Sequence, residues 1–232
     1  MWEKSEIDYV VNQTIENQLG KRKVQNIYRF WSGAKPEPSK LSNLSKCERF
    51  EYPKNSGNYY ISAEAAFQQY FFEEKDRERF KEDGDIGGSL ALLDILKVKK
   101  ENWEKKNSNR PEMTGIVSKM SKKLVNAKKM GLTLITNEQK KSLEEIVKLF
   151  LEILWCKYSV NIEARNILMN TGTKYLVEFG RGDKYAYSSN RKKPLWSALD
   201  DKDGTLYGGN LQGEIHMLVR KKLIKNYSYN QL

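Results

Sequence analysis

The chain has 232 residues, enough to bury a sizeable core, and its 39% hydrophobic and 11% aromatic content predicts a globular fold rather than a disordered chain. It has no apolar stretch long enough for a membrane span, no apolar signal core at its start, and only two cysteines, Cys47 and Cys156, so we expect a cytoplasmic protein with reduced thiols. The net charge of +11 fits a polyanionic partner, but the lysines are dispersed, and solubility and composition account for the charge equally well.

The first third of the chain predicts one helix and then short extended segments. Residues 1–26 are polar and are predicted to form an N-terminal extension, with a helix over Ile7–Leu19 that stops at Gly20. Between residues 27 and 62, the aromatic alternation in IYRFW, CERFEY and NYYIS, interrupted by Pro, Gly and Asn, predicts strands and turns.

Ser62 is a predicted N-cap of the next helix, in the stretch NYYISAEAAFQQYFF. Phe67, Tyr70 and Phe71 recur at helical spacing and predict its apolar face, while Glu64 falls in its first turn. A second helix is predicted after Ser89. The positive end of a helix dipole favours an ionised Glu64, whereas surrounding aromatic side chains raise its pKa by removing it from water.

The clearest predicted helix lies in NEQKKSLEEIVKLFLEILWCKYS, and a capping box of Ser142 and Glu145 is an alternative that starts it later. NIEARNILMNTG predicts a short helix that ends at Gly172, and KYLVEFG predicts a strand. Residues 180–209 are predicted to be a polar loop. LQGEIHMLVRKKL predicts a closing amphipathic helix, whose inward positions are Leu211, Ile215, Leu218, Val219 and Leu223.

The side-chain inventory excludes several kinds of chemistry. His216 is the chain's one histidine and lies on the last predicted helix, where a structural role is the expectation, so a Ser–His–Asp or Cys–His device lacks a base. No cluster has zinc-ligand spacing, and the glycine-rich stretches match neither a Walker loop nor a dinucleotide fingerprint. Carboxylates, lysines and aromatic residues remain, which suits chemistry at a sugar carbon.

Several segments, taken in order, resemble the NADAR family (the YbiA-like domain) over roughly Ile27–Leu223. IYRFW with LSNL is similar to the family's aromatic start and F-S-N-F segment, SAEAAFQQYFF to S-E-H-Y-F-Q, and SKMSKK to the basic A-R-x-G-R segment. CKYSVNIEARNILMNTGTKYLVE resembles A-K-F…L-R…L-L-x-T-G…L-V-E, and YGGNLQGEIHMLVRKKL resembles G-K-N-x-L-G…L-M-x-V-R. Asp183 and Trp196 resemble the D…W-G pair, with a longer insert between them. The resemblance implies an α+β, mostly helical YbiA-like domain with a small sheet of short strands, over residues 27–225, with 226–232 as a tail.

The resemblance also implies N-glycosidic chemistry. Some family members cleave the base–ribose bond of riboflavin-pathway intermediates, and others remove ADP-ribose from modified guanine. We therefore expect a hydrolase that releases ADP-ribose from ADP-ribosylated guanine in a nucleoside or nucleic acid, without a metal or cofactor. The alternatives are an N-glycosidase acting on riboflavin-pathway intermediates, a catalytically degenerate module that binds ADP-ribose or a related nucleotide, and a basic nucleic-acid-binding protein without a sugar pocket.

The resemblance carries roles onto particular residues. Glu64, Asp183 and Lys119 are the expected catalytic residues, with Glu64 stabilising positive charge at the anomeric carbon or activating water. The expected ligand-binding residues are Phe30, Trp31, Ser42, Asn43, Gln68, Lys122, Lys157, Trp196 and Asn210. The structural alternatives are a capping glutamate, a turn aspartate, core or loop aromatics, turn asparagines and solvated lysines.

The chain departs from the family pattern at three positions. Ala65 stands where the family has a histidine, and Phe71 and Gly209 stand where it has lysines. If the reaction needs a Schiff-base lysine at one of these positions, Lys119, Lys122 or Lys157 has to supply the amine.

Overall fold

The computed structural model describes residues 2–31, 36–87, 131–136, 138–179, 194–200 and 204–229. The helices are α1 (Lys4–Leu19), α2 (Pro36–Ser39), α3 (Ala63–Gln68), α4 (Leu143–Val160), α5 (Ile162–Asn170) and α6 (Leu211–Tyr229), with 3₁₀ helices at Gln69–Phe71 and Glu74–Phe80. The strands are β1 (Arg22–Lys23), β2 (Ile27–Phe30), β3 (Phe50–Glu51), β4 (Tyr59–Tyr60), β5 (Tyr175–Glu178), β6 (Leu199–Asp200) and β7 (Thr205–Tyr207). The fold is α+β and mostly helical, as predicted. No helix in these ranges is long and apolar enough to cross a membrane.

The chain divides into two compact units. The first unit comprises Met1–Ser42, Ser142–Tyr158 and Ile162–Leu232, and the second unit comprises Asn43–Lys141 and Ser159–Asn161. The predicted boundaries at residues 27 and 225 stay predictions.

The first unit is built from helices and two small sheets. Strand β2 pairs in parallel with β5, and β7 lies between β1 and β6 with antiparallel pairing on both sides. Helix α6 packs against β5, α1 and α5. Its five predicted inward positions, Leu211 to Leu223, are all buried, which confirms them as core positions. The amphipathic interpretation is wrong for the first half of the helix, because Gln212, Glu214, His216 and Arg220 are buried as well.

The described part of the second unit has an aromatic core. Strands β3 and β4 form an antiparallel pair, and Phe50, Tyr60 and Phe80 are almost completely buried. The ring of Phe72 stacks on that of Phe80 with 5.2 Å between centroids. Aromatic rings bury a large area each, so these side chains contribute much of the apolar burial in the described part of this unit.

Helix ends follow local sequence rules. The Ser142 Oγ accepts from the Glu145 N–H at 3.2 Å and the Glu145 carboxylate accepts from the Ser142 N–H at 2.7 Å, so the later start of α4 is confirmed as a capping box. Gly172 has φ 56° just past the end of α5, as its predicted C′ position requires.

Two further predictions were wrong. The helix after Ser62 is α-helical only to Gln68, because Phe71 and Glu73 then bond to the backbone of Ile135 and Thr133, which draws the chain out of the helix. The predicted polar loop over residues 180–209 contains β6 and β7. Strand β7 pairs with β1 on one side and with β6 on the other, so long-range pairing rather than local alternation holds these strands. The helix predicted after Ser89 lies outside the described residues.

Candidate functional site

The predicted site residues fall into three groups. Asn43, Glu64 and Gln68 belong to the second unit, and the first unit contains the others that the structure describes: Phe30, Trp31, Ser42, Lys157, Trp196 and Asn210. Asp183, Lys119 and Lys122 lie outside the described residues.

Glu64 is held in the first turn of α3 by the start of the helix. Ser62 is a true N-cap, because its backbone is extended and its Oγ accepts from the Ala65 N–H at 3.2 Å. The Glu64 N–H donates to the Asn43 carbonyl oxygen at 2.9 Å. These two bonds satisfy amide groups that a helix start otherwise leaves open, and they fix the backbone from which the Glu64 carboxyl projects.

The Glu64 carboxyl lies partly buried beside one polar side chain. Gln68, one turn later, donates from its Nε2 to the Glu64 Oε1 at 2.6 Å. Burial away from water raises the pKa of Glu64, and the bond from Gln68 opposes that shift only in part. Because α3 has only six residues, its dipole is small, and desolvation has the larger effect on the pKa of Glu64. A carboxyl of this kind is suited to exchanging a proton.

Asn43 contributes both its backbone and its side chain to this neighbourhood. Its carbonyl bonds to Glu64, while its side chain is 5% exposed and its Oδ1 has no hydrogen-bond partner in the described structure. A buried amide oxygen without a partner costs stability, and a ligand donor is one way to satisfy it.

Lys157 has a different environment in the first unit. Its side chain is fully buried, and its Nζ donates to the carbonyl oxygens of Lys40 at 3.2 Å and Ser42 at 3.1 Å. These contacts make Lys157 a structural clamp on residues 40–42. Ser42, a predicted ligand residue, is itself 2% exposed.

His216 completes the clamp on the same three residues. Its Nε2 lies 3.0 Å from the Leu41 carbonyl oxygen and its Nδ1 lies 2.7 Å from that of Gln212. Burial lowers the pKa of His216 to about 4, and the charge of Lys157 acts in the same direction. The expected structural role of this histidine agrees with these contacts.

Phe30 and Asn210 are both completely buried. The ring of Phe30 packs 4.8 Å from that of His216. The Asn210 side chain bonds twice to the backbone of strand β5. It donates to the Leu176 carbonyl at 2.8 Å and accepts from the Glu178 N–H at 3.1 Å. Their predicted ligand contacts stay predictions, and the contacts observed are structural.

Trp31 and Trp196 are partly exposed, and each contacts another aromatic ring. Trp31 lies 5.5 Å from Phe179, and Trp196 lies edge-to-face with Phe150 at 5.7 Å. Both retain surface on which a planar ligand can stack.

The first unit also contains a buried polar cluster that was not predicted from the sequence. The Glu214 carboxylate, 3% exposed, accepts from the Asn17 amide at 2.9 Å and from the Tyr175 hydroxyl, which Arg22 also contacts. Burial raises the pKa of Glu214 and raises that of Tyr175 to about 12. No local pattern predicts these contacts, because Asn17 and Glu214 are 197 residues apart in the chain.

The three departures from the family pattern have clear local structures. Ala65 is buried, and Phe71 packs edge-to-face on Phe67 at 5.0 Å. A Cβ added at Gly209 would lie 2.5 Å from the Leu195 carbonyl oxygen, so no lysine fits there without backbone movement. Among the described residues, no group of three or more His, Cys, Asp or Glu side chains is placed to hold a metal ion.

Comparison with known proteins adds a structural similarity. No protein-family model matches the chain, and no curated protein matches it. The NMR structure of the E. coli protein YbiA is similar over 91% of this chain and 93% of that one, at 20% identity and a TM-score of 0.48. Similarity at this level assigns neither a family nor an activity.

Proposed function

We propose that the protein is a hydrolase of N-glycosidic bonds, and that it releases ADP-ribose from ADP-ribosylated guanine in a nucleoside or nucleic acid. The observation that carries the proposal is the Glu64 carboxyl, which is fixed at a capped helix start, bonded by Gln68 and raised in pKa by burial. The motif resemblance described above supplies the class of reaction.

The reaction needs one proton acceptor and a group that stabilises positive charge on the sugar. As the bond between the anomeric carbon and the base nitrogen breaks, its electron pair goes to the nitrogen and positive charge develops on the sugar. Water adds to the anomeric carbon and loses a proton, and the departing nitrogen gains one. Glu64 in its ionised form stabilises the charge and accepts the proton from water.

Within the described residues, two observations favour a carboxylate mechanism over an amine mechanism. Lys157 is committed to two backbone carbonyls inside the core, so it is poorly placed to attack a sugar. Phe71 and Gly209 carry no amine, and the packing at Gly209 leaves no room for one. A direct attack by water on the anomeric carbon needs no lysine amine at any of these positions.

A second candidate is a module that binds ADP-ribose or a related nucleotide without cleaving it. The absence of side-chain nitrogen at Ala65, Phe71 and Gly209 favours this candidate. If the family reaction depends on any of these positions, binding survives and turnover does not.

Release of free ADP-ribose from ADP-ribosylated guanosine, followed by mass-resolved chromatography, tests the proposal. We expect release by the native protein and a loss of about 100-fold or more in Glu64→Gln, because positioned acid–base groups contribute roughly that much. Glu74→Gln is the matched control, since Glu74 is an exposed glutamate of the same unit.

Each other outcome is informative. Full release by Glu64→Gln would falsify the role of Glu64. Bound but uncleaved substrate would favour the binding module. If ADP-ribosylated guanosine is neither bound nor cleaved while a riboflavin-pathway ribosylamino intermediate is cleaved, the substrate assignment is wrong.

A further inference from the structure

A cluster of one aromatic ring and two cations lies in the second unit and contains none of the predicted site residues. The guanidinium carbon of Arg77 lies 5.4 Å from the centroid of the Tyr70 ring, and the Nζ of Lys141 lies 5.5 Å from it. All three residues are partly exposed. We refer to Tyr70, Arg77 and Lys141 as the Tyr70 cluster.

Other cations near this cluster form ion pairs with carboxylates, whereas the two cations of the cluster form none within the part of the chain that the structure describes. On the neighbouring 3₁₀ helix and its flanks, Lys75 pairs with Glu73, Arg79 with Asp85, and Lys81 with Glu78. Arg77 and Lys141 form no ion pair with any carboxylate in the described ranges. The segment therefore neutralises its other cations and leaves these two at the ring.

The Tyr70 ring packs against a buried aromatic ring. The ring of Tyr52, which is 4% exposed, meets that of Tyr70 edge-on with 6.3 Å between centroids. The Arg77 Nε also donates to the Phe72 carbonyl at 3.4 Å, which restricts the guanidinium to this side of the segment. A ring with a fixed support is a better stacking surface than a mobile one, because less freedom is lost on binding.

We propose that the Tyr70 cluster binds the adenosine diphosphate group of an ADP-ribose-containing ligand. The proposal rests on the proposed function, because it names how that substrate is held. A phosphate is a stronger partner for Arg77 and Lys141 than an aromatic ring is. A phosphorylated ligand draws both cations toward its pyrophosphate, and the Tyr70 ring then stacks on the adenine.

The size of the cluster favours a dinucleotide-like ligand over a nucleic-acid strand. Proteins that bind single strands use a charged groove and several aromatic side chains for successive bases. Among the described residues, the Tyr70 cluster offers one ring and two cations, which match one base and one pyrophosphate. Tyr70 is also two residues from Gln68, the partner of Glu64.

Calorimetric titration of the full-length protein with ADP-ribose tests the proposal, with ADP, ribose and a single-stranded oligonucleotide as further probes. We expect ADP-ribose and ADP to bind and ribose not to bind. Arg77→Gln and Lys141→Gln should each weaken ADP-ribose binding about tenfold, the effect of losing one charge-assisted contact. Tyr70→Leu should weaken it about tenfold, while Tyr70→Phe, which keeps the ring, should change it less than about twofold.

Lys75→Gln is the matched control, because it removes the same charge from the same 3₁₀ helix at a residue paired with Glu73. We expect it to change ADP-ribose binding less than about twofold. Equal losses in Lys75→Gln and Arg77→Gln would show a general effect of net charge and overturn the proposal. So would ADP-ribose binding that is unchanged in all three cluster variants, or cluster-dependent binding of the oligonucleotide alone.

The result also separates this inference from the proposed function. Cluster-dependent ADP-ribose binding without any release from ADP-ribosylated guanosine supports the site and contradicts the hydrolase. Release that depends on Glu64 but is indifferent to the cluster variants supports the hydrolase and contradicts the site.

Discussion

Two sets of titratable side chains have different surroundings. One is the Lys157–His216 clamp of the first unit, and the other is the Glu64 carboxyl of the second unit. Lys157 and His216 are completely buried and face backbone carbonyls of residues 40–42. Glu64 is partly buried and has Gln68 as a side-chain partner. Burial with backbone partners marks a group that stabilises the fold, whereas a desolvated carboxyl with some exposure retains access to a substrate.

The largest stability effect should come from removing the clamp amine. Lys157→Met keeps the length of the side chain but leaves the carbonyls of Lys40 and Ser42 without this donor inside the core. We expect the free energy of unfolding to fall by roughly 2–6 kcal/mol, since two carbonyls lose this donor and each unsatisfied buried group costs about 1–3 kcal/mol. Urea unfolding followed by circular dichroism measures it.

Lys40→Met is the control for that variant. Its Nζ forms a surface ion pair with Glu163, and such pairs contribute at most about 1 kcal/mol. If the two variants lose the same stability, the contrast between clamp and surface is wrong.

The next effect concerns the acidity of His216. Its pKa is lowered from 6.5 to about 4, so the folded state holds it neutral while the unfolded state takes up a proton below pH 6.5. Its contribution is therefore fully present above pH 6.5 and is lost as the pH falls toward 4, by about 3 kcal/mol in total.

The native protein and His216→Gln should be unfolded by urea across pH 4 to 7. The amide of glutamine can still donate to the Leu41 carbonyl but does not titrate. The difference in stability between the two proteins should shrink or reverse in favour of the variant as the pH falls. A difference that is constant over this range would contradict the buried, neutral histidine.

The smallest effect is expected at Glu214. Glutamine at this position keeps an acceptor for Asn17 and Tyr175, so we expect Glu214→Gln to change stability at pH 5 by less than about 1 kcal/mol. Because burial raises the pKa of Glu214, its contribution is present at low pH and is lost as the pH rises through the folded-state pKa. The variant should gain stability relative to the native protein as the pH rises from 4 to 8. Parallel stability curves would show that Glu214 titrates normally.

The parts of the fold that follow local rules were predictable from the sequence. The Ser62 cap, the box of Ser142 and Glu145, and the C′ glycine Gly172 each depend on a few neighbouring residues. Strand β1 was not predictable, because two residues of Arg22–Lys23 form a strand only by pairing with Leu206 and Thr205. Strand pairs of this length carry no periodic signal.

The candidate site also has features that depend on neighbouring residues, which were predictable, and features that depend on long-range contacts, which were not. Glu64 was placed correctly in the first turn of its helix, since capping is local. The clamp was not predictable, because Lys157 meets residues 40–42 across more than a hundred residues of chain. The competing influences on the pKa of Glu64 were visible in the sequence, but which one dominates depends on burial.

We propose that Glu64 is a functional rather than a structural carboxyl, and a paired measurement on Glu64→Gln tests this role. Release of ADP-ribose from ADP-ribosylated guanosine and the thermal unfolding midpoint should be recorded on the same preparation. We predict that release falls about 100-fold or more while the midpoint stays within about 3 °C of the native value. Unchanged release with a markedly lowered midpoint would show that Glu64 has no part in the reaction and serves the fold alone.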